Sequence, residues 1–428
     1  MRKRTASALA VVTAALPAAA ADAAAPKQRG YVVTLKQSVG NSGAAVEALR
    51  RQGRFETRFR YARAIKGFAA DLDAAQLRKL RKDPRVEHVQ PDIHFSAGEM
   101  VPTAAGETTP VGIRRIGAAT SDGSREASRV NVAVLDTGID LRDPDLDAVD
   151  GVNCVKPQKA AQDDNGHGTN VAGVIAARNQ GQGFVGVAPG TRLYSVKVLD
   201  ARAGGRLSQV LCGIEWVTVN ARALDIRVAN MSIGGAGRDD GDCGASDGDP
   251  QHQAICRSVA GGVTYVAAAG NAGEDFASTV PAAYPEVLTV TAMTDTDGEP
   301  GADGEASCAD GEVDDSFATY SNFGSLRDAA SHTVAAPGTC VTSTGLRGDS
   351  STYVGTSQAA PHVAGTVALC HGSERREGPC ADLSPARIIE RIRSDAQRRA
   401  TWANGFLGDS TRTLGGRYFG PLVAADAY

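Results

Sequence analysis

The sequence predicts an α/β protein, a mostly parallel sheet with helices on both faces, preceded by a small α+β unit. Three observations carry that prediction. Near-continuous apolar runs recur through the chain beyond residue 130, among them "VNVAVLD" (130–136), "IRVANMSIG" (226–234) and "VLTVTA" (287–292). Strands buried on both faces read this way. Helical stretches at 167–178, 207–223 and 250–261 alternate with the strands, as in a sheet wound with crossover helices. Residues 26–95 have a separate βαββαβ rhythm, which is the ferredoxin-like order.

From the N-terminus, "MRKRTASALAVVTAALPAAAADAAA" (1–25) has a basic start, an alanine-rich run and small residues in the Ala-x-Ala style. It reads as a secretory signal cut between Ala20 and Ala25, too short for a membrane span. No later apolar run reaches spanning length, so an exported, extracellular chain with no membrane association after signal removal is expected. In the front unit, "YVVTLK" (31–36) is a strand, "GAAVEALRRQ" (43–52) a helix and "FETRFRYARAIKGFAADL" (55–72) two strands. "DAAQLRKLRKD" (73–83) follows as a helix and "VEHVQPD" (86–92) as a strand. Periodicity fades from residue 93, and 96–110 reads as a linker rich in small residues and prolines. The remaining body, 111–428, adds strands at "LYSVKVLD" (193–200) and "GVTYVAAAGN" (262–271).

With 428 residues, 42% hydrophobic and 22% charged, the chain is large enough for more than one domain and is not disordered. Residues 26–95 hold 15 Lys/Arg against 7 Asp/Glu, or +8; the first 25 residues add +2, so residues 96–428 carry −14 and the net is −4. Docking of the front unit on the body explains both signs. Neither an aromatic stacking pattern nor a basic helical stripe supports nucleic acid as a partner. Eight cysteines, all beyond residue 150 and without a C-x-x-C pair, predict disulfides in an oxidising compartment and not zinc. Of the 105 pairings, Cys243 with Cys256 and Cys370 with Cys380 are preferred because each closes a short polar loop.

Candidate chemistry lies at three element ends. Asp136 ends the strand "VNVAVLD"; His167 sits between glycines in "NGHGTNVAGVIAA" where a helix begins; Ser357 opens a helix in "GTSQAAPHVAG". Singly, each has an ordinary explanation: turn former, packed histidine, helix N-cap. Pro361 falls close enough to the helix start for its missing N–H to cost little. Together the three supply nucleophile, base and orienting carboxylate at strand and helix ends that one sheet can bring together.

These stretches, with "AAAGN" (267–271) and the front-unit segments "YVVTLK", "KGFAADL" and "VEHVQPD", resemble the subtilisin-like serine proteases (subtilases) preceded by their inhibitory propeptide. The resemblance covers nearly everything after the signal. It implies a secreted, self-processing zymogen that hydrolyses peptide bonds of protein and peptide substrates. Asp136, His167 and Ser357 would be its triad and Asn271 its oxyanion donor. "SIGG" (Ser232, Ile233, Gly234, Gly235) and "AAG" (Ala268, Ala269, Gly270) would bind substrate. Their small, uncharged walls imply broad specificity with an apolar preference. The chemistry needs no cofactor, the propeptide is the intramolecular inhibitor, and a monomer is expected. Structural calcium is allowed in the acidic loops 238–249 and 295–315, although these fit no EF-hand spacing and read as solvated.

Two alternatives stand beside this reading. An α/β-hydrolase esterase would run Ser, Asp or Glu, then His, around G-x-S-x-G; here Asp and His precede Ser. A catalytically silent binding protein on the same fold would have lost a triad residue. Two positions depart from the family: Asn170 stands where histidine is usual, and Gln358 where methionine is. The glycosylation-like Asn230-Met-Ser232 falls in a central strand and should be inaccessible. His362 reads as a packed helix residue, and His94 as an exposed linker residue.

Overall fold

Apolar pairs at consecutive positions govern the front unit, because its sheet is covered on both sides. The computed structural model describes residues 28–97, 99–101, 109–118, 126–180, 183–304, 308–325 and 329–428; the leader and most of the linker lie outside them. Strand β1 (Arg29–Leu35), helix α1 (Ser42–Gly53), β2 (Thr57–Tyr61), β3 (Gly67–Leu72), α2 (Ala74–Leu80) and β4 (Val86–Pro91) follow in the predicted order. The antiparallel sheet runs β2-β3-β1-β4. Val33, Leu35, Phe68 and Ala70 pack with Val46, Leu49 and Leu80 of the helices. Their neighbours Val32 and Ala69 point the other way, into the core of the body. Asp73 caps α2 by accepting from Ala75 and Gln76 N–H.

The linker forms strands that sequence periodicity does not show. β5 (His94–Ser96) and β6 (Glu99–Val101) are followed by a short helix, α3 (Val111–Arg115). β5 pairs antiparallel with the body at Gly204–Arg206, and β6 with Ser350–Val354. Such pairing uses backbone groups, so it leaves no alternating side-chain signature.

The body continues with β7 (Asn131–Asp136), β8 (Ala148–Asn153), α4 (His167–Ala176), β9 (Leu193–Lys197), β10 (Gly204–Arg206), α5 (Leu207–Asn220), β11 (Ile226–Met231), β12 (Gly235–Ala236), α6 (Pro250–Ala260) and β13 (Thr264–Ala268). Then come β14 (Thr279–Val280), β15 (Val287–Thr294), β16 (Ser316–Phe317), β17 (Thr333–Pro337), β18 (Val341–Thr344), β19 (Ser350–Val354), α7 (Thr356–Cys370) and α8 (Pro385–Arg399). The main sheet runs β8-β9-β7-β11-β13-β15-β17 in parallel, with β16 antiparallel on β15. α4, α7 and α8 bury their apolar sides on one face. α5 and α6 cover the other, together with Tyr61, Ile65 and Phe95 from the N-terminal residues.

Strand order reverses around β7, whose neighbours β9 and β11 lie on opposite sides. Ligand crevices of open α/β sheets form beyond the strand ends at such a reversal. Asp136 is the last residue of β7.

Sequence reading did not find β8, β17 or the β18–β19 hairpin. β8 is an edge strand with only Asn153 buried, so no apolar run marks it. α8 does have a legible stripe, Ile388, Ile389, Ile392 and Ala396.

Both preferred disulfides form, and Cys154–Cys212 and Cys308–Cys340 complete the set. Asn230 is fully buried, as its central strand requires. The loop 295–315 departs from its solvated reading: Asp295, Asp314 and Asp315 are only 1%, 3% and 2% exposed.

His362 is fully buried; its Nδ1–H donates to the Gln358 carbonyl at 2.8 Å and its Nε2 has no partner. Burial pushes its pKa down from 6.5 to about 4. Because the unfolded chain takes up this proton below pH 6.5 and the folded chain does not until about pH 4, stability is lost as pH falls through that window. Denaturant unfolding of the protein and of His362→Gln at pH 7 and pH 4 should show the unsubstituted chain losing about 3 kcal/mol more than the variant.

Candidate active site

The strand-end carboxylate and the helix-start histidine meet directly. His167 Nδ1 lies 2.8 Å from Asp136 Oδ1, and neither residue is exposed. Thr137 N–H donates to the same oxygen at 2.6 Å. Since the carboxylate only accepts, the ring proton sits on Nδ1 and the Nε2 lone pair is left as a base. Tyr353 packs against the ring at 5.3 Å and 87°.

Close approach of α4 to the end of β7 requires glycine at 168, where a Cβ would fall 2.1 Å from the Gly138 carbonyl. Asp163 fixes the junction. Its Oδ1 accepts from Thr137 Oγ1 at 2.9 Å, and its Oδ2 from Thr169 N–H at 3.0 Å and Thr169 Oγ1. Sequence reasoning passed over Asp163 and Thr137; the only signal was their adjacency to "NGHG" and Asp136.

Ser357 is the second residue of α7, entered through Gly355 at φ 153°, where a Cβ would lie 2.9 Å from Asn271 Nδ2. Its Oγ donates to the Ser232 carbonyl at 3.1 Å. The amide Nε2 of Gln358 faces His167 Nε2 at 3.4 Å. Thus Asp136 and His167 are joined, while the Ser357 hydroxyl is bonded to the Ser232 carbonyl. Catalytic hydrogen bonds commonly tighten only with substrate bound.

Pro361 is the sixth residue of α7, deeper than the sequence reading allowed, and its missing N–H would have served the Ser357 carbonyl. Ser232 Oγ donates to that carbonyl instead, at 2.6 Å, and in turn accepts from Asn230 Nδ2 at 2.9 Å. Ser232 therefore compensates for the proline behind the nucleophile position.

Asn271 Oδ1 accepts from Thr356 N–H and Thr356 Oγ1, both at 2.8 Å. That anchor leaves Nδ2 as the donor for a developing oxyanion. Thr356 is a supporting residue that the sequence reading missed. Beside it lies a cavity of about 450 Å³ lined by Ile233, Gly234, Gly235, Ala268, Gly270 and Ser357, among others. Ala269 does not line it; it packs with Phe276 and Tyr418 behind the wall. The walls are small, as expected, but not wholly uncharged, since Glu274 is among the lining residues.

Residues 94–97 lie along this cleft. Ser96 and Gly234 exchange two backbone hydrogen bonds at 3.3 Å, and Ala97 N–H donates to the Ala203 carbonyl at 3.2 Å. Phe95, 2% exposed, packs with the body's apolar core, and Ser96 and Ala97 edge the cavity. On the far side Glu99–Val101 pairs with β19; residue 98 lies outside the described residues.

One carboxylate from each side joins the front unit to α5. Asp92 accepts from Ser208 N–H and Oγ at 2.7 and 2.8 Å, in the first turn of α5. Glu215 accepts from the N–H groups of Ala62, Arg63 and Ala64 at 3.0, 2.7 and 2.5 Å. Among the described residues no ion pair joins the front unit to the body, so their opposite net charges are not expressed as salt bridges.

Asn170 donates to the Ser351 carbonyl at 2.7 Å and to Ser351 Oγ at 3.2 Å. It ties α4 to β19. Among the described residues three groups of side chains could hold a metal, and none includes Asp136, His167 or Ser357: Asp239, Asp240 and His252; Asp295, Asp297 and Asp314; and Cys243, His252, Cys256 and Glu286. In the last group the cysteines are disulfide-bonded, which leaves no thiolate to ligate.

Comparison with known proteins places this geometry. Residues 127–406 match the model of the subtilase family, and residues 22–97 that of peptidase inhibitor I9. Subtilisin E of Bacillus subtilis (strain 168) is 34% identical over 350 residues, 80% of each chain. The minor extracellular protease Epr of the same organism is 31% identical over 318 residues, 70% of this chain and 42% of Epr. A crystal structure of a cold-adapted subtilisin-like serine proteinase superposes with a TM-score of 0.56 at 26% identity, over 74% of this chain and 98% of that one.

Proposed function

Because the chain belongs to the subtilase family of serine endopeptidases and carries an inhibitor I9 unit in front, we propose that Asp136, His167 and Ser357 are its catalytic triad. We propose further that residues 1–25 export it, that 26–95 inhibit it, that processing occurs in 96–110, and that 111–428 act on proteins outside the cell. The observation that carries the triad is the fully buried Asp136–His167 hydrogen bond of 2.8 Å, next to a helix start that presents Ser357.

In this reading Ser357 Oγ rotates from the Ser232 carbonyl toward His167 Nε2 and attacks the scissile carbonyl. His167 takes the hydroxyl proton and passes it to the leaving amine, while Asp136 holds the Nδ1–H tautomer and stabilises the imidazolium. The Ser357 N–H and Asn271 Nδ2 receive the oxyanion. Side chains and backbone alone carry these steps, with no cofactor. Substrate adds as a strand along Gly204–Arg206 and Gly234, as residues 94–97 do. The chain acts as a monomer, and neither nucleic acid nor membrane has a part in it.

Preference for apolar side chains follows from a cavity walled by glycine, alanine and isoleucine, with Glu274 the one acidic lining residue. Ser96 and Ala97, at the edge of the cavity, support self-cleavage within 97–99, inside the 96–110 linker. Digestion of a denatured protein, with the cuts mapped by mass spectrometry, tests the preference. Cuts confined to one charged residue type would contradict it.

Inhibition by the front unit rests on Asp92 and Glu215. Added in trans, that unit should inhibit the mature enzyme. Glu215→Ala in the body, which leaves three N–H groups without their charged acceptor, should weaken inhibition by about 10- to 100-fold. Without ion pairs across the contact, salt should change the inhibition constant by less than about threefold.

A further inference from the structure

The strand beside Asp136 ends on a buried ammonium. Lys197 closes β9 and is the register partner of Asp136 on β7. At 1% exposure it is the only buried lysine among the described residues. Taking an ammonium out of water is strongly unfavourable unless each of its three N–H bonds finds an acceptor. Here each does: Nζ donates to the Thr137 carbonyl, to the Leu199 carbonyl at 2.9 Å and to Asp164 Oδ1 at 2.6 Å. An apolar side chain would fill the same space without the cost of desolvation, so packing alone does not call for a charge at this position.

The partners of Nζ come from both sides of the Asp136–His167 bond. Thr137 follows Asp136, and Asp164 lies in the loop that leads into α4 at His167. Every polar group of Thr137 is engaged. Its N–H donates to Asp136 Oδ1 at 2.6 Å, its Oγ1 donates to Asp163 Oδ1 and accepts from Gly168 N–H, both at 2.9 Å, and its carbonyl accepts from Lys197. The Asp136 carbonyl is held too, by Val198 and Leu199 N–H at 2.9 and 3.1 Å. Asp136 Oδ2 has no partner. The carboxylate is therefore oriented through Oδ1 alone and depends on where Thr137 is placed.

We propose that Lys197, paired with Asp164, is a positioning residue for Asp136 and His167: it clamps the Thr137 turn to the loop before α4, so that carboxylate and imidazole keep their 2.8 Å contact while the proton moves. The role rests on the triad assignment made above. An ammonium suits it because charge-assisted hydrogen bonds are about twice as strong as neutral ones, and because it offsets the negative charge of Asp136, Asp163 and Asp164 at one junction. Neither Lys197 nor Asp164 lines the cavity. Loss of the clamp therefore acts on the geometry of proton transfer and not on substrate binding, and a misplacement of about 1 Å costs about 10²-fold in rate.

The test measures turnover and the Michaelis constant of the mature enzyme, with active sites counted by complete reaction with a fluorophosphonate. Lys197→Met, which keeps the length and loses the donors, should lower turnover per titrated site by about 10²-fold and leave the Michaelis constant within about twofold of the parent's. Asp164→Ala should lower turnover by about 10-fold, and Asp164→Asn, which still offers an oxygen to Nζ, should recover most of that loss. The Asp164 side chain is 41% exposed, so this pair keeps the test decisive if Lys197→Met fails to fold or mature. Ser357→Ala, assayed in parallel, separates the two readings. Activity in that variant would remove the triad itself. An inactive Ser357→Ala beside Lys197 and Asp164 variants that melt lower yet turn over like the parent would make Lys197 a merely structural residue and overturn the clamp.

Discussion

Turnover of a denatured protein by Ser357→Ala is expected to fall by about 10⁶-fold, the loss measured for the equivalent deletion in a subtilisin. The alanine removes the hydroxyl proposed to attack beside the buried Asp136–His167 pair. It removes little else: Ser357 Oγ makes one hydrogen bond, to the Ser232 carbonyl, worth about 1 kcal/mol. The variant should therefore fold and melt close to the unsubstituted chain. It should also accumulate as a signal-less precursor, uncut between Ala97 and Glu99, because Ser96 and Ala97 edge the variant's own cavity. Processing of the inactive variant at that same position in a protease-free system would show that another enzyme makes the cut.

Asn271→Ala is expected to lower turnover by about 10²- to 10³-fold with the Michaelis constant nearly unchanged, again the size of effect seen in a subtilisin. Nδ2 donates only to an oxygen that becomes an anion, so its loss is felt in the transition state and not in substrate binding. Because Oδ1 also anchors Thr356 through two bonds of 2.8 Å, the alanine variant mixes two effects. Asn271→Asp separates them: it keeps an acceptor for Thr356 and replaces the donor with a charge that repels the oxyanion. Its turnover should fall at least as far while its melting temperature stays closer to the original. Equal loss of binding and turnover in both variants would instead mark Asn271 as a structural residue.

Much of the site was legible in the sequence because strand ends and helix starts leave marks. Asp136 closes an apolar run, and His167 and Ser357 each sit just behind a glycine whose backbone the following helix requires. The ferredoxin-like order of the front unit was legible for the same reason, its strands reading as doubled apolar pairs. What escaped depended on contacts between distant segments. The Ser232 hydroxyl spans 125 positions to serve the carbonyl that Pro361 leaves without a donor. Thr356 and Asp163 act through partners that no local pattern announces. The linker strands were invisible because backbone pairing imposes no periodicity, and the buried Asp295 because an aspartate-rich loop reads as solvated until its packing is known. Charge, +8 facing −14, pointed to docking but not to its means, since the contact uses carboxylates accepting from backbone N–H groups.

The most direct test of the central assignment is to treat the mature enzyme with a serine-directed fluorophosphonate and locate the adduct by peptide mass spectrometry. A single adduct on Ser357, formed in step with the loss of proteolysis and abolished by His167→Ala, is the predicted result. Full proteolysis after saturating treatment, or loss of activity with the adduct on any other residue, would contradict it.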